Sequence, residues 1–278
     1  MFARYARSWQ LTKQSFKALA ENPVLMVFPC LSGLATLLVI VSFLVPLFAT
    51  GALTSMARQP GQFDPLRLVL GFAFYYCCFF VQIFFTCALM ASANMVFCGG
   101  KPSLKHGLDI AWSRVGQIAA WALIAATVGW ILRTLQERAG LLGRIVIAIL
   151  GIAWAILTYF SVPVVLFEHY SLFAGIKRSG ELVKKTWGEA AGKGVTFVAF
   201  NLVAMAGWIV GLVVTFFIHP IVGALWAVSY LALWMIVAAT VDGIFRVALY
   251  RYACFGDKTP VFAPELITNA FVQKKRAL

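Results

Sequence analysis

Charge is what this chain has least of. Of its 278 residues only 12% are Asp, Glu, Lys or Arg, and just 10 are acidic. A soluble domain carries about 25% charged residues, so too few polar side chains are present to coat a water-facing surface. Polar stretches are equally scarce, and none is long enough to build a separate water-soluble domain. Histidine is nearly absent: His106, His169 and His219 each lack a second His or Cys at i+3 or i+4, the pairing that a helical metal site needs. The six cysteines form no CxxC pair and sit in or beside apolar runs, so they read as small packing residues and not as disulfides or metal ligands. There is no P-loop, no Ser-His-Asp set and no acidic pair with a shared substrate position. These absences leave no catalytic, cofactor-binding or metal-binding residues to name, and the expected function is non-enzymatic.

What is present is apolar sequence. Hydrophobic residues make up 62% of the chain and gather in runs longer than the roughly 18 that mark a membrane-spanning helix. The expected fold is all-α: a polytopic integral membrane protein forming one membrane domain over residues 1–278. Its six spans are expected at about 23–48, 66–97, 115–132, 145–167, 194–218 and 221–241, with a polar tail over 255–278. Pro163 is expected to bend the fourth span, because proline removes a backbone donor and crowds the preceding turn. The sixth helix is expected to continue past the bilayer to Cys254, and Asn22 to cap the first span before Pro23. No cleavable signal peptide is evident, since the first apolar run starts late and is too long for one.

The net charge of +13 is distributed unevenly. Four Lys or Arg lie in the N-terminal arm, three in the 99–117 link, five in the 168–193 link and six after Val241. Only Arg58, Arg67, Arg133, Arg138 and Arg144 fall on the opposite side. The positive-inside rule therefore places both termini and both long links in the cytoplasm. Nucleic acid is not an expected partner, because no basic domain stands outside the membrane.

Three cytoplasmic segments are amphipathic, each followed by two spans: an arm over 2–19, a helix after Ser103, and the stretch Glu168–Glu189. Trp9, Trp112 and Trp187 mark the three copies, and Ser103-Leu-x-x-Gly107 matches Ser171-Leu-x-x-Gly175. An internal repeat is one reading; long cytoplasmic links in any six-span protein are the plainer one. The third segment is the most charged. Leu172, Ile176, Val183 and Trp187 fall on or near one face, with Leu182 beside them, and Lys177, Arg178, Glu181, Lys184 and Lys185 on the other. Such a helix is expected to lie on the membrane surface, where anionic head groups or a membrane-protein partner would meet its basic side.

Within the spans the polar residues are few. Gln82 is the deepest, and Asn94 and Asn201 lie shallower. They read either as interhelical hydrogen-bond glue, at about 0.6 kcal/mol each, or as the lining of a polar pathway. Glue is the preferred reading, since three amides without a charge are thin for a solute channel. Asp242 and Arg246 are spaced for an i,i+4 pair at the span boundary. Ala125-x-x-x-Gly129 and Gly207-x-x-x-Gly211 would let helices approach closely.

Three groups of residues carry a resemblance. They are Arg7-Ser-Trp with Phe28-Pro29 and Ser32-Gly33, then Ser161 to Gly188, then Ala248-Leu-Tyr-x-Tyr-Ala253 followed by Gly256. In this order they resemble a family of uncharacterised bacterial six-span membrane proteins. They are also similar to the membrane domain fused to some glycerophosphodiester phosphodiesterases, although this chain has no room for the hydrolase. The resemblance implies a bacterial inner-membrane location and adds no activity. Mitochondrial-type carriers share a three-times-two span plan, but their Pro-x-acidic-x-x-basic signature is missing. Two functions follow as expectations: docking of the basic surface helices on anionic lipid or a membrane partner, or carriage of an apolar or lipid-like solute in a cavity near Gln82, Asn94 and Asn201.

Overall fold

A computed structural model describes residues 12–13, 15–49, 65–168 and 170–255. Most of the expected amphipathic arm, the 51–64 loop, His169 and nearly all of the polar tail lie outside the described residues, as do the side chains of 187–197, Arg67, Ala199 and Phe255. Among the described residues there is no strand, and eight α-helices follow the helical residues 15–21. We label them α1 (Val27–Ala49), α2 (Pro65–Phe97), α3 (Leu104–Ser113), α4 (Val115–Arg138), α5 (Leu141–Leu157), α6 (Ser161–Phe167), α7 (Leu172–Ile218) and α8 (Pro220–Phe255). Six apolar helical stretches are long enough to cross a membrane, and the chain is an all-α polytopic membrane protein.

Several boundaries differ from expectation for local reasons. Asn22 does not cap the first span; its side-chain amide donates back to the Ala18 carbonyl (2.9 Å), and Pro23 opens a 3-10 turn, Pro23–Met26, that leads into α1. The link expected over 134–143 is mostly helix, because α4 runs on to Arg138 with an Arg133–Glu137 pair (3.1 Å) on its last turns. The fourth span bends before Pro163, not at it. α5 ends at Leu157, the chain turns through Thr158–Phe160, and α6 restarts at Ser161, which puts Pro163 in a first turn where its missing N–H costs nothing. The third amphipathic segment does not stop before the fifth span. It continues into it as one 47-residue helix, roughly 70 Å long at 1.5 Å per residue. Gly188, Gly192 and Gly194 weaken that helix without breaking it.

The chain divides into two compact units. One comprises Met1–Pro29, Leu89–Gly107 and Glu181–Leu278. Its buried residues include Ala18 and Leu19, Leu25 and Phe28, Met90 and Phe97, Leu182, and most of the run from Thr240 to Tyr250. That run is the C-terminal part of α8, and its Val, Ile, Phe and Leu side chains are enclosed by protein. Val241, Ile244, Phe245 and Val247 are all at most 1% exposed. Leu89 comes so near Gly243 that a Cβ there would sit 2.5 Å from its Cδ2 atom, and α8 also packs on the Pro23–Met26 turn.

The other unit comprises Cys30–Ala88 and Leu108–Gly180. Ile118, Trp121, Ala122 and Ala126 bury one face of α4, and α6 is buried from Ser161 to Leu166. Trp121 stacks on Trp154 (ring centroids 6.3 Å apart), and this joins α4 to α5. In both units the midsections of the spans are bare: no more than 22% of any span's apolar window is buried by protein. Leu38, Val203 and Phe217 point outward, as side chains that meet lipid tails should.

Candidate docking surface and apolar cleft

The basic stretch is built on α7, and its two faces are used differently from expectation. Gly175, Ser179, Leu182, Val183 and Thr186 recur at helical spacing and are buried, while Phe173 is exposed and Leu172 and Ile176 are half-buried. The part of the apolar face around Leu182 and Val183 is therefore covered by protein, and the part around Leu172 and Ile176 only half so. Ser179 shows how firmly: its hydroxyl accepts the Phe160 backbone N–H (3.0 Å) that the break between α5 and α6 leaves over. Gly180 faces Leu157, so a Cβ there would come within 2.9 Å of that side chain.

On the other face, Lys177, Lys184 and Lys185 are exposed, seven and eight residues apart and so on one side of the helix. Arg178 is not available in the same way. Its Nε donates to the Glu168 carboxylate (3.0 Å) with both side chains mostly buried, which ties the end of α6 to the start of α7. Nothing is described of the Trp187 side chain. The two matching motifs share a local structure: the Ser103 carbonyl accepts from Gly107 N–H (3.1 Å), the Ser171 carbonyl from Gly175 N–H (2.8 Å), and both glycines are buried.

The three amides have separate surroundings. Gln82 is exposed on α2. Asn94 accepts from the Arg251 guanidinium (2.9 Å), which also donates to Cys98 Sγ (3.2 Å). Asn201 accepts from the Trp234 indole N–H (3.0 Å). Two of them thus bond helix to helix, as glue does. Arg251 was not singled out in the sequence, although it occupies the variable position of the Ala248-Leu-Tyr-x-Tyr-Ala253 motif. Asp242 and Arg246 form the expected i,i+4 pair (2.6 Å).

The small residues act as sockets for aromatic rings. Gly129 faces Tyr75, Gly207 faces Tyr230, and Gly211 faces the Trp226 indole so closely that no Cβ fits. The same α7–α8 hairpin carries two more cross-links, from Tyr230 Oη to the Ala204 carbonyl (3.0 Å) and from Trp208 Nε1 to the Ala227 carbonyl (3.1 Å).

A cleft of about 450 Å³ lies within the second unit, lined by Val39, Tyr76, Cys77, Phe80, Val81, Val115, Gly116 and Ala119. None of Gln82, Asn94 and Asn201 lines it. Its lining is apolar, and its one hydroxyl, Tyr76 Oη, already donates to the Ala119 carbonyl (3.4 Å). Among the described residues no three His, Cys, Asp or Glu side chains gather in a way that would hold a metal ion.

The model of a family of unknown function, DUF6159, matches residues 66–260. The chain belongs to that family. The DUF6159 match takes in α2 through α8, and with them the lysine face, the Glu168–Arg178 tie and every cleft residue except Val39. No curated protein and no solved structure matches the chain.

Proposed function

We propose that this DUF6159 protein is a non-enzymatic protein of the bacterial inner membrane whose exposed lysine face docks an acidic partner on the cytoplasmic side. The observation that carries the proposal is the division of labour on α7. Leu182 and Val183 of its apolar face are buried by protein and Leu172 and Ile176 are half-buried, while Lys177, Lys184 and Lys185 remain on the outside. The continuity of α7 favours a membrane-protein partner over lipid head groups. Lys185 stands nine residues before Gly194, where the fifth span is expected to begin, or roughly 14 Å along the helix axis. That exceeds the Debye length of about 8 Å at physiological salt, beyond which a surface charge is largely screened.

The test is co-purification after gentle extraction, with Lys177, Lys184 and Lys185 changed together to Gln. The proposal expects an acidic partner to be lost with the charges and kept by the matching Lys→Arg variant. Loss of bound anionic lipid instead would assign the face to head groups. Unchanged recovery of both would remove the proposal.

A second reading, binding of an apolar or lipid-like solute, is favoured by the cleft. Its lining offers no unengaged hydroxyl to a polar ligand, and its volume falls within the usual 300–1,000 Å³ of ligand pockets. The cleft supports this reading, although none of Gln82, Asn94 and Asn201 lines it. Retention of a hydrophobic ligand by the purified protein would support it, and a ligand-free protein under mild extraction would count against it.

A further inference from the structure

The geometry points to one acyl chain of a bilayer phospholipid as the occupant of the cleft, with its head group held beside Arg114 and Trp112. This rests on the second reading above and gives that ligand a class and an orientation. The cleft is formed by three helices that have the length and composition of membrane spans, so its surroundings are hydrocarbon. Its α4 wall, Val115, Gly116 and Ala119, is the first turn of that helix. Arg114 immediately precedes it, in the one-residue joint between α3 and α4. Trp112 lies two residues further back, 69% exposed, its ring edge-on to Phe84 (6.0 Å). An exposed Trp beside an Arg at the end of a span is the usual marker of head-group depth. The cleft therefore starts at that level and extends into the hydrocarbon, as an acyl chain does. The guanidinium of Arg114, one residue before the α4 wall, would complement a phosphate, and its five donors leave capacity for one whatever else it binds.

The wall also explains why the cleft is open. A Cβ on Gly116 would meet nothing within 4 Å, so this glycine is not required by packing against a neighbour. Larger side chains at this position would point into unoccupied space and leave the helix intact.

The experiment uses the full chain in phosphatidylcholine vesicles containing a minor fraction of phosphatidylglycerol with a diazirine in one acyl chain. Photolysis followed by peptide mapping is expected to enrich adducts on the Tyr76–Val81 and Val115–Ala119 segments over Leu34–Leu38, a bare span face. Gly116→Phe should lower the yield on those two segments by about tenfold, equivalent to about 1.4 kcal/mol of lost binding. Ala119→Leu fills the same space and serves as the second variant. The Lys177, Lys184 and Lys185 triple variant should leave the adducts unchanged. Adducts spread evenly over all span faces in the wild-type chain would overturn the assignment. So would displacement of the probe by free fatty acid but not by unlabelled phosphatidylglycerol. Enrichment at another apolar segment would sink the cleft as the site yet leave solute binding standing, whereas a protein that enriches no hydrophobic probe anywhere would sink both.

Discussion

Arg178 is one of four cations that look alike in the sequence, and the fold separates it from the other three. It faces Glu168 at 3.0 Å with most of its side chain buried, while Lys177, Lys184 and Lys185 face outward. Glu168→Gln should therefore destabilise the detergent-purified protein by about 1–2 kcal/mol, the usual cost of weakening a partly buried charged hydrogen bond. Lys184→Gln should leave stability unchanged, and thermal unfolding of the two variants side by side checks the contrast. Gly211 supplies a second test at this scale. Because the Trp226 ring occupies the space of a Cβ, Gly211→Leu should cost about 1–3 kcal/mol by overpacking. Adding Trp226→Ala should return part of that loss, and a double-mutant cycle reads the coupling directly. Neither pairing was legible beforehand. The sequence shows that Gly207 and Gly211 are small, not that aromatic rings rather than a backbone fill the space they leave.

At the scale of elements, the number and order of the spans were legible because length and hydropathy alone decide them. Their edges were not. The break at Thr158–Phe160 carries no glycine or proline, and Pro163, the visible breaker, takes a harmless first-turn position just after it. Conversely, Gly188, Gly192 and Gly194 look like an interruption, yet α7 passes through them. The deeper limit is that periodicity identifies an apolar face and not the phase that covers it. Leu182 and Val183 were expected against lipid and are buried in protein; the C-terminal part of α8, expected past the bilayer, is mostly buried in protein as well. This distinction predicts unequal costs for similar changes on one helix. Ile244→Ala should cost about 2–5 kcal/mol, as core truncations do. Leu225→Ala, at a side chain 64% exposed on the same helix, should cost much less, since lipid can fill the space. Denaturant unfolding in mixed micelles compares the two.

For the whole molecule, the membrane has two jobs. It covers the bare midsections of the spans, where little is buried by protein, and the positive-inside reading expects it to separate two sides of very different charge. The candidate site follows the same split. The lysine face was visible in the sequence because charge is rare there, whereas the cleft was invisible because its lining, Val39, Phe80, Val81 and their neighbours, is indistinguishable from any other span surface. The docking proposal requires the lysine face to stand in the cytoplasm, and impermeant-maleimide labelling of single cysteines in a cysteine-free background tests this most directly. Lys184→Cys should react in inverted inner-membrane vesicles and not in intact spheroplasts, with Arg138→Cys showing the reverse. Labelling of Lys184→Cys from outside the cell would contradict the orientation and, with it, the proposed docking.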